Sequence, residues 1–385
     1  MQYMNILIII FDNINAAGGG PEVIKQIAPR LSFKGNRVSV ITTKYGIRSD
    51  ENVNALFKKF NIEVSEIDVL SPTSIPTLKA KNIIKKKFND ADVIYFFLYM
   101  GGLERYLLNL QSKLIKPVIC GHHSVIDRSN VKISFLRHIY YLFNGDRGGK
   151  TIMKFNSQHV VNKEDFKILK NRKFENIFII PNGIELEKYK EQRKSSDKFT
   201  IIYLGRLSEE KGVLNIQKLL DLFKAKGLSN FKFLILGDGP LRKYIESLTI
   251  RYKEISYLGY VSDKKKIEIL LSSQVLVSFS FTESFFIAGL EAIAAGTPVV
   301  AIDNVGVREY INEGENGYIV KNIENMTERI VYLYYLFIND YDIYSQFANK
   351  CRESSLSYTW DNIVDQYEKM FCKVVSDYRG KLNET

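Results

Sequence analysis

Along this chain, short β-branched apolar runs alternate with longer stretches whose apolar residues recur at helical spacing. The first runs are NILIIIF (5–11), RVSVITT (37–43), DVIYFFLYM (92–100), KPVICGHH (116–123) and NIFIIPNG (176–183). A polar, charged stretch, KYKEQRKSSDK (188–198), interrupts them. The rhythm then restarts with FTIIYLGR, FKFLILGDGP, EISYLGYV, QVLVSFS, TPVVAID and NGYIV. Strands that read as continuous apolar runs belong to parallel sheets covered on both faces, and the intervening helical stretches supply the crossovers. The pattern therefore predicts an α/β chain of two doubly wound parallel-sheet domains in tandem, over 1–185 and 199–355, joined by a linker at 186–198. The tail SLSYTWDNIVDQYEKMF has apolar residues at helical spacing and predicts a final amphipathic helix within 356–385. Such sheets bind ligands outside the carboxyl ends of their strands, so two facing sheets would put both sets of loops on one cleft.

Composition agrees with this reading. At 385 residues the chain exceeds what one core usually serves, and 45% hydrophobic with 25% charged residues is ordinary for a globular protein. Cys120, Cys351 and Cys372 form neither a CxxC nor a metal-spaced set, and an odd count argues against a disulfide framework. They read as buried thiols of a cytoplasmic protein. The start MQYMNILIIIF lacks a basic leader and a cleavage site, and its apolar run is too short for a membrane span. The net charge of +11 is one-sided: residues 1–190 carry 29 Lys+Arg against 17 Asp+Glu, and the remainder 25 against 26. A basic half suggests an anionic surface, and without zinc spacing or an RNP-like aromatic pattern that surface is not nucleic acid. The stretches KAKNIIKKKF (79–88) and KISFLRHIYYLFNGDRGGK (132–150) are basic and amphipathic; they suit an anionic bilayer or a solvated helix face.

Candidate chemistry collects where strands end. Gly18, Gly19 and Gly20 follow the first strand and precede a helix, which lets the backbone approach an anion, although a plain flexible loop reads the same way. Arg206 and Lys211 in YLGRLSEEKGV would suit a diphosphate, or would pair with Glu209 and Glu210 in a solvated loop. In FTESFFIAGLEAIAAGTPVV, Glu283 precedes a helix whose starting amides, Ser284, Phe285, Phe286 and Ile287, would face a phosphate. Glu291, two turns further on, could accept from vicinal hydroxyls. His122 and His123 end a strand and could position a hydroxyl, stabilise charge, or serve structure only. His138 and His159 show no ligand spacing to them, and the DxD at Asp340–Asp342 falls in a predicted helix, so no metal site is expected.

In order along nearly the whole chain, AAGGGPEVI, FKGNRVSVIT, PVICGHHS, FIIPNGIELEKY, YLGRLSEEKG, FLILGDGPLR, YLGYVSD, the E-x7-E from Glu283 to Glu291, AAGTPVVA, ENGYIV and SYTWDNIVDQYEKMF resemble the retaining GT-B glycosyltransferases of group 1, glycosyltransferase family four. The resemblance implies an acceptor-binding first Rossmann-like domain, a donor-binding second one, and a Trp360 helix crossing back to the first. It implies that Arg206 and Lys211 hold the diphosphate of a UDP- or GDP-linked sugar, that Glu283 touches the transferred sugar and that Glu291 touches the ribose. The glycine loop would approach the donor phosphate, Tyr257 and Tyr260 would pass near the base, and Asn182 with His122 would line the acceptor side. The catalytic set is then His123, Glu283, Arg206 and Lys211. No cofactor is implied, and the partners are a nucleotide-sugar donor and a glycan or lipid-linked acceptor, on a cytoplasmic protein that could sit peripherally on the inner membrane face. One departure is Phe286, where the family usually has Gly or Pro. Rival readings are a nucleotide-sugar epimerase on the same scaffold, a phosphorylase, whose pyridoxal-phosphate lysine motif is not recognisable, and a non-catalytic nucleotide-sugar-binding subunit.

Overall fold

The computed structural model describes residues 3–16, 19–45, 52–70, 74–97, 102–114, 116–123, 155, 157–191, 193 and 197–383. The chain forms two compact units, Met1–Asn182 with Trp360–Thr385, and Gly183–Thr359.

In the first unit, β1 (Asn5–Ile9), β2 (Arg37–Thr43), β3 (Glu63–Ile67), β6 (Val93–Phe97), β7 (Val118–His122), β8 (Ser157–Val160) and β9 (Ile177–Ile179) form one sheet in the order β3-β2-β1-β6-β7-β8-β9, with every pairing parallel. A small antiparallel pair, β4 (Val69–Leu70) and β5 (Ile75–Pro76), lies outside it. Alternation along β1 sends Ile6, Ile8 and Ile10 to one face and Leu7, Ile9 and Phe11 to the other, and both faces are buried. That is why the strand reads as unbroken apolar sequence. The helices of this unit are α1 (Gly19–Phe33), α2 (Val53–Lys59), α3 (Leu78–Asp90), α4 (Gly102–Leu114) and α5 (Lys163–Asn171). Thr77 and Asn162 cap α3 and α5 by accepting from Ala80 N and Asp165 N.

The second unit holds β10 (Phe199–Leu204), β11 (Phe231–Leu236), β12 (Ile255–Gly259), β13 (Val275–Ser278), β14 (Val299–Ile302) and β15 (Gly317–Val320), all parallel, in the order β12-β11-β10-β13-β14-β15. Its helices are α6 (Asn215–Ala225), α7 (Arg242–Arg251), α8 (Asp263–Ser272), α9 (Ile287–Ala294), α10 (Ile323–Asn339) and α11 (Tyr341–Ser355). Asp340, which opens the Asp340–Asp342 motif, caps α11 by accepting from Ile343 N. Of residues 186–198, expected to be a linker, those described are grouped with this unit. Tyr189 in the short 3-10 turn Leu186–Tyr189 is buried, and Arg193 donates to the carbonyls of Ala295 and Gly296 just past α9. A cation there satisfies carbonyls that a helix end leaves unpaired.

The last helix, α12 (Trp360–Asn383), belongs to the first unit. Trp360, Ile363, Val364, Tyr367, Met370, Phe371, Val374 and Val375 recur at helical spacing and join the core between the sheet and α1. Lys34 bridges Asp365 and Glu368 at 2.7 and 3.3 Å, and Arg30 meets Asp361 at 3.1 Å. Exposed pairs of this kind add little, so apolar burial does most of the holding. Cys120 and Cys351 are buried as expected, but Cys372 lies on the solvent side of α12 and is exposed.

Candidate active site

In the second unit the strand order reverses between β10 and β13, the position at which open α/β sheets bind ligands. Because these strands are paired in register, Tyr203 opposite Val277, the loops leaving their carboxyl ends start side by side. Lys211 closes the 3-10 turn Glu209–Lys211 in the first loop, and its Nζ lies 2.6 Å from Glu283 Oε1 in the second. Lys211 thus pairs not with Glu209 or Glu210, as a solvated loop would have it, but with Glu283 of the neighbouring loop. Gly212 sets this geometry: its φ of 67° is left-handed, and a Cβ would collide with the Phe279 carbonyl. Arg206 is exposed, with its own carbonyl accepting from Tyr203 Oη at 2.9 Å.

A third loop, after β14, closes on the second. Asn304 Nδ2 donates to Ser280 O and Ile302 O at 2.9 and 3.0 Å, while its Oδ1 accepts from Gly306 N and Val307 N. Gly306 passes so close to Glu283 that a Cβ would lie 2.9 Å from the Glu283 Cβ. The buried phenols of Tyr203 and Tyr310 flank this region. Burial first, and the Glu283 carboxylate second, push both pKa values up, so each stays a neutral hydroxyl.

Phe286 is 8% exposed and its ring lies along its own helix, against the space left by Gly289. Tyr310 Oη donates to the Phe286 carbonyl at 2.7 Å, and Phe285 packs on the Tyr310 ring. The bulky residue at the family's Gly/Pro position is thus absorbed by the core. Ser284 and Ile287 are half-buried. The amide of Ile287 turns back to Phe285 O at 3.1 Å, so of the four amides expected to face an anion this one is engaged by the backbone.

Glu291 sits on α9, its side chain 15% exposed, with Lys266 Nζ of α8 at 2.7 Å from Oε1. Lys266 also meets Asp263 at 3.3 Å. Burial alone would lower the Lys266 pKa, but the Glu291 and Asp263 carboxylates outweigh it and raise it to about 12. The buried Tyr189 hydroxyl faces the same carboxylate, which together with burial raises its pKa. Tyr257 is half-buried with the Arg242 guanidinium 5.9 Å from its ring, and Tyr260 is 81% exposed.

The first unit places its candidates differently. Gly19 and Gly20 open α1, and Gly19 is exposed; Gly18 lies outside the described residues, as does the basic stretch 132–150 with His138. Asn182 is buried. His122 Nε2 is 2.8 Å from Gln158 Oε1, and burial lowers its pKa to about 4. His123 stacks on Phe97 with ring centroids 4.2 Å apart, and its Nε2 is 2.8 Å from Tyr95 Oη. The same hydroxyl is 2.6 Å from Nδ1 of buried His159, whose Nε2 donates to Ile180 O at 2.9 Å.

Residues 185–353 match the family model of the glycosyl transferases group 1. The second unit belongs to this family. An uncharacterised glycosyltransferase of Haemophilus influenzae is 25% identical over 371 residues, 92% of this chain and 97% of that protein. The alpha-monoglucosyldiacylglycerol synthase of Acholeplasma laidlawii is 21% identical over 224 residues, about half of each chain, 54% and 55%. Among solved structures, HepE of Anabaena with UDP and glucose superposes with a TM-score of 0.71 at 16% identity, covering 96% of this chain and all of that one. The architecture is GT-B, with two Rossmann-like parallel-sheet units.

The second unit gathers at the ends of adjacent strands a cation, two carboxylates and neutral phenols, groups that can hydrogen-bond phosphate oxygens and hydroxyls. Residue reading missed Lys266, Tyr189, Asn304 and Tyr310 around the two glutamates. Only the run Lys264–Lys266 hinted at any of them. It also missed Tyr95 and set His159 aside, because the test applied to histidines was ligand spacing and these groups meet through the sheet.

Proposed function

We propose that this protein is a retaining glycosyltransferase that moves a sugar from a UDP- or GDP-linked donor to an acceptor hydroxyl. The observation that carries the reading is the meeting of Lys211 with Glu283 where the strand order reverses, beside exposed Arg206. The bond from the anomeric carbon to the β-phosphate oxygen breaks. The acceptor oxygen bonds to that carbon on the same face, and its proton passes to the departing phosphate. Arg206 and Lys211 stabilise the leaving charge without a metal or other cofactor. Glu283 holds the transferred sugar, Glu291 the ribose, and Tyr257 and Tyr260 lie near the base. The fold shared with a protein solved with UDP and glucose supports a nucleotide-sugar donor.

The donor binds the second unit and the acceptor the first, where His123 orients a hydroxyl. The acceptor is a lipid-linked or cell-surface glycan. Two observations support this: the lysines Lys79, Lys85 and Lys86 exposed on α3, and the partial likeness to a synthase named for a diacylglycerol product. Among the described residues no helix is long and apolar enough to cross a membrane, so contact would be peripheral. The test is transfer from a panel of UDP- and GDP-sugars by wild type, Lys211→Ala and Glu291→Ala. Full transfer by both variants would falsify the assignment. Release of an epimer from the donor alone would favour the epimerase.

A further inference from the structure

Four phenylalanines stand between residues 279 and 286, and three of them are absorbed by the core of the second unit. Phe279 is fully buried, with its ring stacked on Tyr203 at 6.1 Å between centroids. Phe285 packs against Tyr310 and Tyr358, and the Phe286 ring takes the space left by Gly289. Phe281 is different. It is 61% exposed, and among the described residues no ring packs on it. A phenylalanine left in water forgoes the stabilisation that burial would give it.

The loop does not leave this ring loose. On one side Ser280 is buried: its carbonyl accepts from Asn304 Nδ2 at 2.9 Å, and its Oγ donates to Thr282 O at 3.2 Å. On the other side Glu283 is held by Lys211 at 2.6 Å and by the close approach of Gly306. Only Phe281 and Thr282 lie between these two fixed points, so the backbone that carries the ring is tied at both ends. Two residues of chain span at most about 7 Å, which bounds the separation of the Phe281 and Glu283 Cα atoms. A pyranose whose hydroxyls bond the Glu283 carboxylate is therefore within reach of the Phe281 ring. The two side chains complement each other toward such a ligand. Hydroxyls along a sugar's rim donate to a carboxylate, while its C–H faces gain by leaving water against a flat apolar surface. An aromatic side chain has only two torsions to order, so presenting it costs little.

We propose that Phe281 is a specificity-determining residue whose ring stacks on the C–H face of the transferred sugar. This rests on the proposed transferase reading and adds to it a contact for one part of the donor. The ligand it fits is a neutral pyranose with an unbroken C–H face. A bare nucleoside diphosphate leaves the ring in water, so the residue reads the sugar and not the nucleotide.

Calorimetry with UDP, UDP-glucose, UDP-N-acetylglucosamine, GDP and GDP-mannose tests the contact without turnover. For a nucleotide-sugar that binds the wild type, Phe281→Ala should weaken binding about tenfold, while affinity for the matching nucleoside diphosphate stays within about twofold. Phe281→Tyr, which keeps the ring, should bind both as the wild type does. Saturation-transfer NMR should show the sugar's ring protons close to the wild-type protein and clearly less so in Phe281→Ala, with the nucleobase protons unchanged. Because Phe281 is exposed, its removal leaves the fold intact, which the thermal transition checks. Equal loss for nucleotide and nucleotide-sugar means that the residue only shapes the loop and overturns the proposal, as does unchanged affinity for both. A wild type that binds none of the nucleotide-sugars refutes the transferase reading itself, and this inference falls with it.

Discussion

The two units solve the same problem, holding polar side chains where strands end, by opposite means. The second unit keeps its groups charged and paired across elements: Lys211 with Glu283, and Lys266 with Glu291 and Asp263. The first buries its groups so deeply that charge is expelled, and it orders neutral rings through the tyrosine hydroxyl between them. Charged pairs are strong but loosely directed, and a ligand's own charges can replace them. A neutral chain of hydrogen bonds has little strength per link, and here the acceptor-only Ile180 carbonyl at its end sets its direction.

The comparison can be broken most sharply at Lys211. Lys211→Ala should lower kcat by about 10²- to 10³-fold, the scale of losing one preorganised charge-stabilising donor, as measured by initial rates of transfer. In the first unit the largest effect should be structural. Phe371→Ala, which opens the core beneath Tyr95, should cost about 3–5 kcal/mol in denaturant unfolding. Coupling between Lys266 and Glu291 should come next, about 0.5–3 kcal/mol in a double-mutant cycle on donor affinity, and additive single variants would show that the pair is not a unit.

pH separates the units by sign. His122 and His159 have folded pKa values of about 4 against an ordinary 6.5, so the unfolded chain binds protons that the folded unit refuses. Their stabilising contribution is complete above about 6.5 and is lost as pH falls toward about 4. Lys266, raised to about 12 from 10.5, contributes fully below 10.5 and loses its contribution as pH rises through 12. Trp360, the only tryptophan, is 5% exposed in the first unit's core, so its fluorescence should report the acid transition. The smallest effect is expected at Lys34→Ala, within about 1 kcal/mol, because its ammonium is partly solvated.

Most strands were legible because parallel strands buried on both faces cannot avoid being apolar. Two were not. β3, EVSEI, is an edge strand that alternates Glu63 and Glu66 with half-buried positions, and charge hid it. β8, SQHV, is wholly buried yet polar, because Gln158 and His159 find partners across the sheet that no local pattern reveals. The same division holds for the site. Arg206, Lys211, Glu283 and Glu291 stand in recognisable order, whereas Lys266 reaches Glu291 only because α8 and α9 pack together. Tyr95 reaches its two histidines only because Gly121 leaves a gap. Phe286 looked like an obstruction in the sequence, and Gly289, three residues on, makes the room that receives its ring.

The placement of α12 also bears on the order in which the chain is made. One face of the first sheet is covered by residues 360–375, which emerge after the whole second unit has been synthesised. The second unit is continuous in sequence and can complete its core as it leaves the ribosome. The first must wait with the part of that face around Tyr95, which packs on Tyr367 and Phe371, uncovered, reversing the usual N-terminal-first sequence of domain folding. The unit that begins the chain is therefore the last to close, and during synthesis its open apolar face is where a chaperone would be needed.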